Sequence, residues 1–386
     1  MMHYDRVWVE IDLDAIVKNM TSIKNRIGKN VKVVAVIKTD GYGHGATQIA
    51  RILETDEQVW GYAVATAEEA FSLREHDIRK PILILGYTFP YSYEQLIRED
   101  VRMAVFMDDA AQKLSERAVK LGIKCKVHVK VDTGMTRIGI RPDDEGLAFV
   151  DRLSKLPGIE IEGIFTHFAT ADEKDRTKTL KQYELFKIFT DKIENELKLH
   201  IPMKHCANSA SIVEMPQMHM DAVRAGIILY GLWPSQFVEK DHPIDLYPVL
   251  SLKTRVVYVK TVPKDQEISY GGTFTTTRDT RVATVCIGYG DGYPRSLSNI
   301  GHVLIKGQKA RILGRVCMDQ LMVDVTDVKG EICVGDIVTL IGRDGEEEIT
   351  MEELGELSGR FNYELACDLN KRIPRIYKID DTLIND

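Results

Sequence analysis

Short apolar runs recur along the first two thirds of the chain, and segments with helical periodicity separate most of them. The runs predict strands over residues 32–38, 58–65, 81–86, 102–106, 124–132, 159–167, 202–207 and 220–224. Runs of this length are typical of strands buried in a parallel sheet. Alternation of strand and helix also predicts a parallel sheet. Eight units in about 240 residues favour a closed (β/α)8 barrel over an open doubly wound sheet.

Three helix signals support this alternation. Thr66 and Glu69 have the spacing of a capping box, in which each side chain binds a backbone N–H at the start of a helix. A helical pattern over 108–121 ends at Gly122, a residue type common at helix C-termini. The longest predicted helix covers about 175–198, with one apolar stripe formed by Leu180, Tyr183, Phe186, Ile193 and Leu197.

After Pro243 the pattern changes to strand-like runs with short turns and little helix. Strands are predicted over 249–262, 281–287, 302–305, 309–316, 320–325 and 337–341, with a short helix over 350–358. We therefore expect an α/β fold with an N-terminal TIM-type barrel over residues 1–244 and a C-terminal mostly-β domain over 245–386. The alternating pattern within residues 1–12 could pack with the β domain rather than with the barrel.

The composition is that of an ordinary globular protein, with 44% hydrophobic and 28% charged residues in 386 positions. A net charge of −7 argues against a nucleic-acid binder. The sequence has no run of about 18 apolar residues, so no membrane span is expected. Its first six residues lack the apolar core of a signal peptide. None of the six cysteines forms a C-x-x-C pair, which indicates reduced thiols and a cytoplasmic protein.

Lys38 stands between the apolar run 33–37 and a glycine-rich segment over 41–45. In a barrel the chemistry lies at the carboxyl ends of the strands, and glycines allow the backbone to approach a ligand closely. An amine in this place could form a Schiff base with a carbonyl compound. On these residues alone, however, a solvated lysine at the end of a strand is the more common situation.

Other strand ends suggest what such an amine would bind. The loops after the last two strands of a barrel are its usual phosphate site, and here they hold Ser209, Gly226 and Ile227. A hydroxyl and two backbone amides suit an anion, although Ser209 alone could cap a helix and Gly226 alone could form a plain turn. Together with Lys38, these residues indicate a phosphorylated aldehyde as cofactor, namely pyridoxal 5′-phosphate.

The fifth predicted barrel strand carries a second lysine. Valines alternate there with His128, Lys130 and Asp132, which places the valines against the helices and Lys130 inside the barrel, near Arg137. Two buried cations repel each other and resist desolvation. Either Asp132 pairs with one of them, or Lys130 is carbamylated, which would make its charge negative and hold Arg137 in place. Both possibilities stay open on the sequence alone.

Short motifs follow one another in a fixed order along nearly the whole chain. In the first domain they include Val36-Ile37-Lys38, Gly41-Tyr42-Gly43-His44-Gly45, Lys130-Val131-Asp132-Thr133-Gly134-Met135, His205-Cys206-Ala207-Asn208-Ser209 and Val223-Arg224. In the second they include Ser269-Tyr270-Gly271-Gly272-Thr273, Gly288-Tyr289-Gly290-Asp291-Gly292, Gly314-Arg315-Val316-Cys317-Met318-Asp319 and Asn362-Tyr363-Glu364. In this order the motifs closely resemble those of the alanine racemase family, the fold-type III pyridoxal-phosphate enzymes.

The resemblance implies a role for each matching residue of the first domain. Lys38 resembles the lysine that holds the cofactor as an internal aldimine and is the base on the D-alanine side. Arg224 resembles the arginine at the pyridine nitrogen, and His167 the residue that links this arginine to the second base. Arg137 resembles the arginine near the substrate carboxylate, and Lys130 a lysine that is carbamylated in many members. The implied cofactor-binding set also includes Tyr42, Asn208, Ser209, Gly226, Ile227 and Tyr363, all but Asn208 as phosphate contacts.

The second domain carries residues that the resemblance assigns to the site of a partner subunit. Tyr270 resembles the tyrosine that acts as the base on the L-alanine side. Met318 resembles a residue whose backbone meets the substrate carboxylate, with Asp319 beside it, and Tyr289 resembles a second tyrosine of the entrance. The resemblance therefore implies a homodimer with shared active sites and a reaction that needs no metal.

Two segments depart from the family pattern. The loop after Lys38 reads Thr39-Asp40-Gly41, where many members have Ala-Asn or Ala-Asp followed by Ala, and position 136 is threonine where glycine is frequent. Tyr363 is retained, and its bulk suits a methyl side chain. The resemblance therefore implies an alanine racemase with two opposed bases, which supplies D-alanine for peptidoglycan or serves alanine catabolism.

Three other functions stay open at this point. A serine or broad-specificity racemase would share nearly all of these residues. A small pyridoxal-phosphate carrier protein also holds its cofactor on a strand-end lysine, but such carriers lack a second domain. A decarboxylase on a related barrel is disfavoured by Arg224 and by the motifs of the β domain.

Overall fold

The structure is a computed structural model that describes residues 6–238, 244–380 and 382–384. The chain folds into two compact units. The α/β unit comprises Val17–Gly41 and Ala46–Leu246, and the β-rich unit comprises the described parts of Met1–Ile16, Tyr42–Gly45 and Tyr247–Asp386. Pro243, after which the sequence pattern changes, lies outside the described residues.

The α/β unit is built on eight parallel strands. After β1 (Val7–Asp12), which belongs to the β-rich unit, they are β2 (Lys32–Val36), β3 (Val59–Val64), β4 (Ile82–Ile84), β5 (Val101–Val105), β6 (Cys125–Lys130), β7 (Ile159–Phe165), β8 (Met203–His205) and β9 (Ala222–Ala225). Each pairs with the next as far as β8, and β2 pairs with β9. Near β8 and β9 the Arg224 amide donates to the Ala207 carbonyl at 3.0 Å. The sheet is thus a nearly closed barrel, and the predicted (β/α)8 architecture is confirmed.

The barrel strands are buried on both faces, as expected of a parallel sheet covered by helices. Every residue of β5 is buried, and so are all residues of β2 after the first. Bulky apolar side chains normally fill the interior of such a barrel. Here the buried positions include Arg102 of β5, His128 of β6 and Arg224 of β9. These buried polar side chains mark where the chemistry of the unit is concentrated.

The helices of the first two thirds of the chain are α1 (Leu13–Ile27), α2 (Ala46–Leu53), α3 (Ala67–Glu75), α4 (Tyr93–Arg98), α5 (Asp108–Leu121), α6 (Asp144–Ser154), α7 (Thr177–Leu197) and α8 (Ser209–Glu214). The capping box at Thr66 and Glu69 is confirmed at the start of α3. The predicted end of α5 is also confirmed, with Gly122 in the left-handed conformation at φ 67°. None of the helices in the described residues is long and apolar enough to cross a membrane.

The apolar stripe predicted for α7 is wrong at its N-terminal end. Leu180 is 49% exposed, whereas Phe186 and Ile193 are buried as expected. The buried face begins instead with two polar residues, Thr179 and Gln182. A pattern of hydrophobicity cannot find these positions, because their side chains are buried through hydrogen bonds to a neighbouring loop rather than through apolar contacts.

The β-rich unit contains a ten-stranded sheet and a two-stranded one. Besides β1, the strands are β10 (Leu250–Val262), β11 (Glu267–Ile268), β12 (Phe274–Thr275), β13 (Thr280–Val285), β14 (His302–Ile305), β15 (Gln308–Leu313), β16 (Leu321–Asp324), β17 (Ile337–Asp344), β18 (Glu347–Ile349), β19 (Arg375–Ile379) and β20 (Thr382–Ile384). β10 pairs with both β13 and β17, which closes six strands into a ring. β1 pairs with β10 and β19. The predicted mostly-β second domain is confirmed.

Two helices complete the β-rich unit, α9 (Met351–Ser358) and α10 (Asn362–Asp368). α9 is the short helix predicted from the sequence. The pattern missed α10 and five strands, namely β11, β12, β18, β19 and β20. Four of these strands have only two or three residues, which is too short for their periodicity to be recognised. β19, with five residues, was missed although its length is ordinary for a strand.

Candidate active site

Lys38 opens a left-handed turn directly after the first barrel strand. β2 ends at Val36, earlier than predicted, because Thr39, Asp40 and Gly41 have φ values of 55°, 52° and 61°. For residues other than glycine this conformation costs roughly 1–2 kcal/mol each, so the surrounding structure must hold the turn. The departure from the family pattern at positions 39 and 40 therefore falls on backbone that is strained.

Side chains at both ends hold this turn in place. Glu69 of α3 accepts a hydrogen bond from the Thr39 amide while it also completes the capping box of α3. The Asp40 carboxylate accepts a hydrogen bond from the Ala46 amide at 2.9 Å, at the start of α2. Lys38 is therefore carried by a turn that two helix starts restrain.

Arg224, at the end of β9, has its guanidinium group buried among acceptors. Nη1 donates to Nδ1 and to the carbonyl of His205, at 3.0 and 3.1 Å. Nη2 donates to the carbonyls of Thr166 and Cys206, at 2.7 and 3.0 Å, and lies 3.2 Å from Nδ1 of His167. Within the described residues, Nε is the one guanidinium nitrogen of Arg224 that donates to no protein group, and it can therefore donate to a ligand.

The imidazoles around Arg224 are neutral. Burial and the charge of Arg224 hold the pKa of both His167 and His205 well below the ordinary value of histidine. Burial lowers the pKa of Arg224 itself to about 10. At neutral pH the centre of the barrel therefore contains a permanent cation hydrogen-bonded to uncharged rings.

Lys130 of β6 lies close to the same cation. Its Nζ donates to the Val131 carbonyl at 2.7 Å, and both Nζ and the Arg224 guanidinium lie 5.5 Å from the centre of the Phe165 ring. Burial, followed by the charges of Arg224 and Arg137, lowers the pKa of Lys130 to about 8. The proximity of Lys130 to other cations, expected from the sequence, is therefore present.

The pairing of Asp132 with Lys130, one of the two possibilities raised by the sequence, is absent among the described residues. The Asp132 carboxylate instead accepts three backbone hydrogen bonds at 2.9–3.0 Å, from the amides of Gly134, Met135 and Thr136. Thr136 has φ 59°, in the left-handed region, which explains why glycine would suit this position. Arg137 follows in the same loop and is exposed, so the expectation of two buried cations is wrong for Arg137.

The candidate phosphate loops after β8 and β9 meet. The Gly226 amide donates to the Ser209 hydroxyl oxygen at 3.0 Å, which leaves the hydroxyl hydrogen of Ser209 to be donated elsewhere. Ile227 opens a short 3₁₀ turn, whose first amides have no acceptor within the turn. Asn208, not Ser209, caps α8, because its side-chain oxygen accepts from the Ser211 amide at 3.1 Å.

In the β-rich unit, the turns that carry Tyr270, Tyr289 and Met318 are joined. The Tyr289 amide donates to the Cys317 carbonyl at 3.0 Å, and the hydroxyl of Ser269, next to Tyr270, lies 3.5 Å from the Cys317 sulfur. The three predicted side chains are 71%, 43% and 54% exposed, respectively. They form one exposed patch. From the sequence, these three residues were grouped only because of the family resemblance.

Asp319, beside Met318, belongs to a partly exposed ion cluster around the buried carboxylate of Asp291 in the same unit. Arg372 donates to Asp319 and to Asp291, both at 2.7 Å, and Arg6 also binds Asp291. Although burial raises the pKa of Asp291, the hydrogen bonds from Arg6 and Arg372 lower it overall. Sequence reasoning missed Arg372, which ties the Met318 turn to the Tyr289 turn.

The β-rich unit also holds the two predicted phosphate tyrosines. Tyr42, in the segment that follows the Lys38 turn, packs edge-on against Tyr363 of α10, with ring centres 6.0 Å apart. Phe361 also stacks on the Tyr363 ring, with ring centres 4.4 Å apart. This packing restrains the Tyr363 ring in a fixed orientation.

Sequence reasoning also missed Gln182, because the burial of this polar side chain is visible only in the structure. The side-chain oxygen of Gln182 accepts from the Ala169 amide at 2.9 Å, and its nitrogen donates to the His167 carbonyl at 3.3 Å. Gln182 thus positions the loop of His167. Among the described residues there is no cluster of three or more His, Cys, Asp or Glu side chains suited to a metal ion.

The chain thus combines a parallel barrel, with a lysine on the turn after its first strand, and a β-rich unit with an exposed tyrosine. Two family models match the chain: "Alanine racemase, N-terminal domain" over residues 11–234 and "Alanine racemase, C-terminal domain" over residues 249–377. The chain therefore belongs to the alanine racemase family, and it is an enzyme of the racemase type, an isomerase.

Individual relatives cover almost the whole chain. The alanine racemase of Clostridium perfringens is 44% identical over 378 residues, which are 98% of this chain and 97% of the relative. The alanine racemase structure of Clostridium difficile 630 is 42% identical, with a TM-score of 0.94 and coverage of 100% and 98% of the two chains. That of Bacillus anthracis with bound L-Ala-P is 38% identical, with a TM-score of 0.90 over 100% and 98% of the chains.

The hydrogen bond from Thr39 to Glu69 gives a test of the restrained turn. Glu69→Gln keeps one acceptor oxygen for the three amides that the carboxylate now serves. We expect the Thr39 amide to exchange its hydrogen about tenfold faster, because losing a hydrogen bond to a charged group costs about 1.5–3 kcal/mol. Hydrogen exchange of peptides spanning the turn measures this. Glu68→Gln, an exposed neighbour, should leave the rate unchanged, and equal protection in both variants would contradict a restraining role for Glu69.

Proposed function

We propose that this enzyme interconverts L-alanine and D-alanine with pyridoxal 5′-phosphate as cofactor. The observation that carries the proposal is the buried Arg224 cation, whose Nε alone is left to donate to a ligand, in the same barrel as the Lys38 turn. The residues present fit the cofactor. Lys38 would bind its aldehyde, Ser209 and Ile227 would bind its phosphate, and Arg224 would donate to its pyridine nitrogen.

Arg224 would determine how strongly the bound cofactor withdraws electrons. When bound, the cofactor withdraws electron density from the Cα–H bond of the amino acid and so makes that hydrogen acidic. A guanidinium donates a hydrogen bond but keeps its proton at neutral pH, so Arg224 would bind the ring nitrogen without protonating it. Electron withdrawal is then weaker, which limits stray protonation elsewhere and favours return of the proton to Cα.

Inversion at Cα needs a proton to leave one face and return on the other. We assign Lys38 to one face and Tyr270 of a second copy of the chain to the opposite face. Nδ1 of His167 accepts from Arg224, so the hydrogen of this neutral ring is on Nε2. That hydrogen can be donated to the phenolic oxygen of Tyr270, which would favour release of its proton. Arg137 and the Met318 backbone would hold the substrate carboxylate.

The exposed patch of Tyr270, Tyr289 and Met318 supports a homodimer. Large apolar side chains exposed side by side on one surface are typical of an interaction site. A second copy of the chain would cover this patch by bringing its own barrel to it, and by twofold symmetry each copy would complete the other's site. A monomer would then lack half of each active site.

We favour alanine as the substrate because of Tyr363. Its ring is restrained between Tyr42 and Phe361, and a bulky restrained ring leaves space for a methyl side chain rather than a larger one. The six cysteines, all within the described residues, form no disulfide, which fits a reducing compartment. We therefore propose a cytoplasmic enzyme whose D-alanine supplies peptidoglycan or whose activity serves alanine catabolism.

Mixed dimers test the shared site directly. Tyr270→Phe alone should lower L-to-D turnover at least about 100-fold, because proton transfer by a positioned side chain contributes about 10²–10⁴ in rate. Lys38→Ala alone should be inactive. When both variants are expressed together, half of the dimers are mixed and each holds one intact site, so about a quarter of wild-type activity should return.

Tyr258→Phe is the matched control, since Tyr258 is another exposed tyrosine of the β-rich unit, and it should keep full activity. Two results would contradict the proposal. Full activity of Tyr270→Phe would remove Tyr270 as a base. No recovery of activity in mixed dimers of folded variants would place both groups in one chain.

We also propose that Lys130 is carbamylated. Its neutral amine would attack carbon dioxide, forming a N–C bond and releasing one proton, and the product would carry a negative charge beside Arg224 and Arg137. With a pKa of about 8, about a tenth of the amine is neutral at pH 7 and about nine tenths at pH 9. The reaction is thus favoured as the pH rises through 8, and the surrounding cations stabilise the product.

¹³C-labelled bicarbonate should therefore give one carbamate signal in the ¹³C spectrum of the protein, and the signal should grow from pH 7 to pH 9. Lys130→Arg should abolish it, whereas Lys126→Arg, on the same strand but partly exposed, should not. A spectrum without a carbamate signal at pH 9 would show that Lys130 stays an amine.

A further inference from the structure

A line of buried polar side chains crosses the barrel interior behind Arg224, and the reaction proposed above makes no use of it. Nε2 of His205 lies 2.9 Å from Nδ1 of His128, and Nε2 of His128 lies 3.3 Å from Oε2 of Glu162. Arg102 ends the line by donating to both carboxylate oxygens of Glu162, at 2.9 and 3.1 Å. Both histidines are fully buried.

A guanidinium can only donate hydrogen bonds and a carboxylate can only accept them, so Arg224 and Glu162, at the two ends, together favour one direction for every bond along the line. Nδ1 of His205 must accept from Arg224, so the hydrogen of a neutral His205 is on Nε2. That hydrogen is donated to Nδ1 of His128, whose own hydrogen is then on Nε2 and faces Glu162. Burial lowers the pKa of both histidines, in agreement with neutral rings.

The packing leaves little room for either ring to turn over. Phe165 stacks on His205 with ring centres 5.0 Å apart and planes 10° apart. A Cβ atom at Gly163 would lie 2.5 Å from the His128 ring, so only glycine leaves space for this imidazole, and Trp60 packs on the same ring at 5.5 Å. Each ring is therefore fixed in place, and its bonding can change only through the nitrogen that carries the hydrogen.

The far end of the line is anchored by charge. Although burial raises the pKa of Glu162, hydrogen bonds from His128 and Arg102 lower it to about 2. Arg102 also donates to the carbonyl and the carboxylate of Asp100, at 2.6 and 2.7 Å. Glu162 therefore stays ionised and is a permanent acceptor for His128.

We propose that Glu162 is a positioning residue for Arg224, acting through His128 and His205 to fix which nitrogen of each ring carries the hydrogen. The inference rests on the proposed function in one respect, the use of Arg224 at the cofactor nitrogen. Without an acceptor at position 162, the Nε2 hydrogen of His128 has no partner. Every arrangement of the hydrogens then leaves a buried donor unsatisfied, either Nε2–H of His128 or an N–H that faces another N–H further along the line, so the Nε2–H tautomers lose their advantage over the others.

Three substitutions distinguish three possible effects: loss of the hydrogen-bond acceptor at position 162, loss of the negative charge there, and a general disturbance of the strand. Glu162→Met removes the acceptor at similar length, and Glu162→Gln keeps an acceptor oxygen without the charge. Glu160→Gln is the matched control, because Glu160 lies on the same strand, β7, and is exposed. The full-length chain, labelled with ¹⁵N-histidine, is studied by NMR of the ring nitrogens before and after addition of pyridoxal 5′-phosphate, and the cofactor's Kd is measured by titration.

In the unsubstituted chain we expect His128 and His205 to show the Nε2–H tautomer, with and without cofactor. Glu162→Met should move at least one ring toward the Nδ1–H tautomer and raise the cofactor's Kd about tenfold, as expected for one lost hydrogen bond to a charged group. Glu162→Gln should keep both tautomers and change Kd less than about threefold. Glu160→Gln should change neither.

Unchanged tautomers in Glu162→Met, or the Nδ1–H form of His205 in the unsubstituted chain, would overturn the inference. If the Met variant does not fold, the Gln variant decides, because loss of the Nε2–H tautomers with an acceptor still present would contradict the proposal and their retention would support it. If the unsubstituted chain binds no cofactor, the proposed function fails. The tautomers read without cofactor still decide the role of Glu162.

Discussion

The structure depends on keeping one positive charge, that of Arg224, inside a barrel. Removing an ion from water is expensive unless hydrogen bonds replace its hydration, and here the carbonyls of Thr166, His205 and Cys206 together with two imidazoles provide them. Burial, together with the charge of Arg224, lowers the pKa of both imidazoles so that they are neutral, and the same two causes lower the pKa of Lys130. The electrostatics of the barrel therefore follow from one fixed charge and the acceptors that hold it.

A second constraint is the strained backbone that presents Lys38. Thr39 and Asp40 stay in the left-handed conformation because Glu69 and the start of α2 hold them. Both constraints use the barrel as a rigid frame, since strand ends deliver the side chains and helix starts restrain the loops. The side chains of the site are thus held in defined positions by rigid elements of the fold.

The strand and helix pattern was enough to predict the barrel and the β domain, because both have periodicities that local sequence carries. It was not enough to predict contacts between side chains that meet only when the strands assemble into the barrel. Alternation on β6 placed His128 inside the barrel, but its partner His205 lies 77 positions later and meets it only because β8 and β6 face one interior. The left-handed turn at Thr39 and Asp40 was not predicted for a different reason, since neither threonine nor aspartate favours this conformation. The individual site roles stay predictions.

The central claim is that this arrangement moves the α-proton of alanine from one face to the other. The most direct measurement follows deuterium and chirality together, with the purified protein, pyridoxal 5′-phosphate and L-alanine in heavy water. The account predicts that D-alanine appears and that it carries deuterium at Cα. Bound cofactor with neither exchange nor inversion would contradict it.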